Sequence, residues 1–201
     1  MKKNLLLLFL LIGALSMLLM STHYFTVENS GILARKALKD TLWYKASFLM
    51  HIAGGLIAIA LGPFMFINKL LIWKVHRPLG TIYAIAVLIS SIAGLLIAQF
   101  AMGGLATRLG FSLLALVWGY SLVLSLMKIR QGEVKSHQMW MRINYALTFA
   151  AITQRTMLLF AFIPSISFIV VYQLSAWLPW LFNVGLVLIV LQRKSKKQFL
   201  N

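Results

Sequence analysis

The sequence has no cysteine and only three acidic residues, Glu28, Asp40 and Glu133. The first absence excludes disulfides, thiolate metal sites, cysteine nucleophiles and c-type haem attachment. It also removes lipidation of an N-terminal cysteine. The second absence matters because none of the three acids lies inside an apolar run. A carboxylate proton relay, a hydrolase built on paired acids and an oxygen-rich cation site would all need acids there. No HExxH motif occurs, and no serine or threonine stands at a fixed spacing from a histidine. No catalytic constellation can be assembled from these residues, and the chain leans away from being an enzyme.

Hydrophobic residues, by contrast, make up 61% of the 201 positions and charged ones only 11%. A soluble domain carries about 25% charged residues, and a helix crossing a bilayer needs about 20 mainly apolar residues. Six such runs can be drawn: Leu5–Tyr24, Ser47–Asn68, Pro78–Ala101, Leu109–Lys128, Met139–Ile163 and Phe168–Gln192. None alternates as a barrel strand does. The expected fold is an all-α polytopic membrane helix bundle of about six transmembrane helices.

The net charge of +16 would suit nucleic acid if it were gathered on one face, but it is spread in short segments between the apolar runs. Lys2 and Lys3 precede the first span; Lys69, Lys74 and Arg77 follow the second. Lys128, Arg130 and Lys135 follow the fourth, and Arg193, Lys194, Lys196 and Lys197 follow the sixth. The positive-inside rule then puts both termini in the cytoplasm. The partner implied is a lipid bilayer, taken as a bacterial-type cytoplasmic (inner) membrane, with no nucleic acid. The chain divides into an N-terminal helix at 1–25, an outer loop at 26–46, a five-helix core at 47–192 and a basic tail at 193–201. The basic start with its apolar run is read as an uncleaved anchor, since no small-x-small site follows Met20. Within the outer loop, Ile32–Tyr44 is expected to form an amphipathic surface helix.

Small residues recur four apart at Gly54-Ala58-Gly62 and Ser90-Gly94-Ala98, a pattern that lets helices approach closely in lipid. Pro63 is expected to kink or end its span, and Pro78 to occupy a first turn. On the fifth span, His137, Met141, Asn144, Thr148, Ala151 and Arg155 advance by fours and threes along one face. Such a stripe must face the bundle interior or a water-filled cavity. Gln154 joins Arg155 at the outer level, and Arg142 lies off the stripe, placed to snorkel to phosphates.

Two histidines on different helices at one depth can ligate a haem b, a copper or a zinc. His76 and His137 meet that requirement, with His51 as a third candidate ligand. Interfacial histidines bonded to headgroups or loop carbonyls are the plainer account. Three functions remain open. One is a haem b electron carrier resembling cytochrome b561. Another is a small transporter or lipid-interacting protein, and a third is a structural or assembly subunit. The sequence names no partner subunit or oligomeric state.

The stretches HIAGGLIAIALGPFMF (His51–Phe66), HRPLG (His76–Gly80), HQMWMR (His137–Arg142), YALTFAAITQR (Tyr145–Arg155) and WLPWLFN (Trp177–Asn183) resemble the membrane proteins grouped as domain of unknown function 2306 (DUF2306). The resemblance covers spans two to six and implicates His51, His76, Arg77, Gly80, His137, Trp140, Arg142, Arg155 and Asn183. Two positions depart from it. Gln138 stands where a basic residue is frequent, and Leu188 where an acid is frequent. The resemblance implies a site without supplying a reaction.

Overall fold

A computed structural model describes residues 2–26, 38, 40–66 and 69–199, with side chains omitted at 2–4, 6, 69–73 and 194–199. Among these residues every regular element is helical, and six stretches are long and apolar enough to cross a membrane. The helices are α1 (Lys2–Ser21), α2 (His23–Thr26), α3 (Leu42–Met65), α4 (Lys69–Ala98), α5 (Leu105–Arg130), α6 (Val134–Leu158), α7 (Phe168–Ser175) and α8 (Leu178–Phe199). A 3-10 turn over Leu159–Phe162 extends α6. The spans Leu7–Thr26, Leu42–Met65, Lys74–Ala98, Leu105–Arg130, Val134–Phe162 and Phe168–Arg193 reproduce the six apolar runs to within a few residues. Most of the surface helix expected over Ile32–Tyr44 lies outside the described residues; Leu42–Tyr44 form the first turn of α3.

The chain forms two compact units, residues 1–97 and 98–201. In the first, α1 packs on α3. Tyr44, Phe48 and Ile52 on α3 make a buried cluster with Tyr24, Leu38, Leu56 and Ile97. The small-residue ridges are buried as expected. Gly54, Ala58 and Gly62 are interior on α3, and Ser90, Gly94 and Ala98 on α4. A Cβ on Gly54 would fall 2.6 Å from the Ala86 carbonyl oxygen and 2.8 Å from Ser90 Cβ. The glycine is what lets these two backbones meet.

In the second unit α6 packs against α5, α7, α8 and its own 3-10 extension, so the polar fifth span is the central helix of this unit. The α5–α6 turn is a Schellman motif. Glu133 N–H donates to the Lys128 carbonyl (2.9 Å) and Gly132 N–H to that of Ile129 (3.1 Å). Gly132 takes φ +78° there, a left-handed conformation that a side chain would strain. Lys128 also bonds the Glu133 carboxylate at 2.9 Å. That lysine and the Ser136 hydroxyl hold the exposed carboxyl below its ordinary range.

Two prolines behave differently from a reading of the apolar runs alone. Pro78 is interior to α4, nine residues after Lys69, rather than in a first turn. The segment before it reads as a basic loop, yet its backbone is helical and so satisfies its own hydrogen bonds beyond the apolar stretch. The sixth span, expected to be continuous, breaks at Ala176–Trp177 between α7 and α8. Pro179 explains this, since it has no N–H to offer the Ser175 carbonyl and its ring crowds that oxygen. The break is packed around the start of α5. Trp177 Nε1 donates to the Ala106 carbonyl (3.0 Å) and Gln173 Nε2 to that of Gly103 (2.7 Å). Pro63 lies two residues before the end of α3, where its missing N–H was expected to tell.

Candidate functional site

His137 stands on the first turn of α6, and the tight hairpin returns it to the last turns of α5. Its Nδ1 lies 2.8 Å from Ser125 Oγ and 3.0 Å from the Ser125 carbonyl oxygen. A carbonyl only accepts, so Nδ1 is the donor and, in the neutral ring, Nε2 carries the lone pair. The Ser125 hydroxyl points back at the His137 carbonyl, 3.4 Å away.

The same arrangement occurs in the first unit between α3 and α4. His51 Nδ1 lies 2.8 Å from the Ser90 carbonyl oxygen and 3.2 Å from Ser90 Oγ. The Ser90 hydroxyl donates to the His51 carbonyl at 2.6 Å. The Gly54 contact, one turn along α3, brings the backbones close enough for this exchange. Each unit therefore holds one half-buried imidazole in a serine clamp, with the ring orientation and tautomer set by main-chain carbonyl.

Beyond His137 the stripe on α6 is closed by α5. Asn144 is fully buried and its Nδ2 donates to the Trp118 carbonyl and to Ser121 Oγ, both at 2.8 Å. Trp118 Nε1 donates to Thr148 Oγ1 at 2.8 Å, and Thr148 donates to the Asn144 carbonyl at 3.0 Å. Trp118, Ser121 and Ser125 are spaced by three and four, so one face of α5 meets the striped face of α6. A second seam joins α6 to α8, where Asn183 Nδ2 donates to the Ala146 carbonyl (3.2 Å) and to Thr153 Oγ1 (3.1 Å).

The remaining candidates are placed less closely. His76 and Arg77 are exposed on α4, in the first unit, whereas His137 belongs to the second. Gly80 is half-buried, with nothing within 4 Å of where a Cβ would stand. Trp140, Arg142, Gln154 and Arg155 are half-buried on α6, and Arg155 Nη1 donates to the Ala151 carbonyl one turn back (3.2 Å). No group of three or more histidine, cysteine, aspartate or glutamate side chains that could hold a metal ion occurs among the described residues. The sequence marks Ser90 only as part of a packing ridge, and does not mark Ser125, Trp118, Ser121 or Thr153. Trp118, Ser121 and Ser125 carry one linear signal, their helical spacing on α5, which acquires meaning once α6 is known to pack there.

The family model described as predicted membrane protein (DUF2306) matches residues 48–191, which take in both clamps, both seams and the broken sixth span. The chain belongs to the DUF2306 family. No match was found among curated proteins or among solved structures. The clamp serines, Asn144, Thr148 and Asn183 are all buried and hydrogen-bonded in this DUF2306 chain. It is an integral membrane protein; among the described residues, polar side chains are buried along the helix seams and many large hydrophobic ones are exposed.

Proposed function

We propose that this protein is a haem b-binding membrane electron carrier in which His137 is an iron ligand. The observation that supports this is the anchoring of the His137 ring through Nδ1. A ligating histidine typically donates its other ring N–H to a carbonyl or carboxylate, which fixes the tautomer and raises the basicity of the ligating nitrogen. Ser125 supplies that acceptor to His137, and Ser90 supplies one to His51. With Nδ1 as the hydrogen-bond donor, the neutral ring presents the Nε2 lone pair, the ligand type that haem b and borderline metals take. His51 and His76 remain candidate ligands in the first unit. When bound, the haem would supply one-electron transfer. The clamps would hold the rings against rotation, and the apolar helices around them would limit access of water.

The transporter reading has less support, because a path along α6 needs water at Asn144 and Thr148. Both side chains are buried and bonded within the α5–α6 seam. The decisive experiment is an absorbance spectrum of the chain purified after haem-replete expression. A Soret band that sharpens and an α-band that appears with dithionite are expected, reduced or lost in His137→Ala. A spectrum without either band sinks the proposal. A stoichiometric partner protein in the same preparation would then favour the assembly-subunit reading.

The proposal includes a cytoplasmic (inner) membrane location with both termini inside, supported by the basic segments at Lys128–Lys135 and after Leu191. Alkaline phosphatase fused after Arg130 should stay inactive, and fused after Gly103 should be active. The opposite pattern would invert the topology.

A further inference from the structure

Arg142 lies eight residues into α6, about 12 Å along the helix from Val134, and its side chain is half-buried. No hydrogen bond or ion pair joins its guanidinium to another described residue. A cation held this way inside a membrane-spanning helix is costly unless an anion or water reaches it. On α6, Lys135, Gln138 and Arg142 fall within about 60° of one another. The same face continues through Ala146 and Thr153, where Asn183 of α8 is bonded.

α8 runs antiparallel to α6, so its later residues, Val187–Arg193, pass this end of the face. That stretch contains no acid and closes with another cation, Arg193. Glu133, the nearest acid in sequence, is engaged by Lys128 and Ser136. The groove therefore gathers cations without a carboxylate: an arginine fork and a lysine, beside an amide and the positive end of the α6 dipole.

We propose that this end of the α6–α8 groove binds the phosphate of an anionic phospholipid, with Arg142 as the fork and Lys135 and Gln138 as flanking donors. A lipid fits better than a free anion. The site opens at headgroup level within snorkelling reach of Arg142, and the α8 side offers Val187, Val190 and Leu191 to an acyl chain. The inference does not depend on haem.

The test uses the full chain in phosphatidylcholine nanodiscs doped with phosphatidylglycerol, released for native mass spectrometry. Phosphatidylglycerol should be retained over phosphatidylcholine, and Arg142→Gln should cut that retention about five-fold, the scale expected for one basic residue at an anionic surface. Arg142→Lys, which keeps the charge and loses the fork, should fall between. Arg108→Gln, at the opposite end of α5, should leave retention unchanged. Equal retention of the two lipids, or retention unaltered in Arg142→Gln, overturns the proposal. Displacement of phosphatidylglycerol by excess inorganic phosphate would make this a soluble-anion site and overturn the lipid assignment. If Arg142→Gln fails to insert, Arg142→Lys decides: retention equal to the parent chain counts against the site.

Discussion

Asn144→Asp should destabilise the protein more than any other single-atom-scale change on α6. The substitution preserves shape but replaces an NH2 that donates to the Trp118 carbonyl and Ser121 Oγ with an oxygen. An ionised carboxylate there would face a carbonyl oxygen in a fully buried position. Leaving a buried charge uncompensated costs about 3–5 kcal/mol. Asn144→Ala, which leaves a carbonyl without its donor and a small void, should cost about 1–3 kcal/mol. Thermal unfolding in detergent, followed by helical circular dichroism, should rank them wild type, then Asn144→Ala, then Asn144→Asp. Trp118 should shift its fluorescence in both variants, because its indole bonds Thr148 one turn away. A chain carrying Asn144→Asp that melts like the parent would show that the α5–α6 seam is open to water.

Gly54→Val should separate α3 from α4 and release His51. Its Cβ would meet the Ala86 carbonyl oxygen at 2.6 Å, and backbone cannot step aside as a flexible side-chain end can. Overpacking of this kind costs about 1–3 kcal/mol. The separation also lengthens the 2.8 Å contact from His51 Nδ1 to the Ser90 carbonyl, so the imidazole should lose its fixed tautomer. Nitrogen-15 spectra of the histidine ring would read this directly. Ser90→Gly in the same chain would relieve the 2.8 Å contact with Ser90 Cβ while leaving Ala86 in place, so rescue should be partial at best. Unchanged His51 ring shifts in Gly54→Val would mean that the clamp does not depend on the close approach.

Much of this architecture was legible in the linear chain. Six spans could be drawn because continuous apolar runs long enough for a bilayer have few other uses. The inward face of α6 could be read because Asn144, Thr148 and Arg155 share a phase near 3.6 residues. The Gly54 ridge was legible for the same reason. Other features depended on information outside the local pattern. Pro78 reads as a first-turn residue because a basic stretch precedes it, but a helix can extend past the apolar stretch by satisfying its own backbone. The break at Trp177 was hidden by apolar residues on both sides of Pro179. Ser90 and Ser125 could not be recognised as histidine partners, since a serine hydroxyl has no sequence signature until register places it opposite a ring.

The Schellman turn at Gly132 bears on the order in which the chain assembles. It brings Ser125 to His137 across only twelve residues, whereas the clamp at His51 must wait for Ser90, thirty-nine residues later. The entropy of closing a loop grows with its length, and helices enter the bilayer in the order they are synthesised. The α5–α6 hairpin is therefore a unit that can dock, with its polar seam already satisfied, as soon as α6 has left the insertion machinery. The α3–α4 pair must first span a longer stretch of chain before its polar groups find each other.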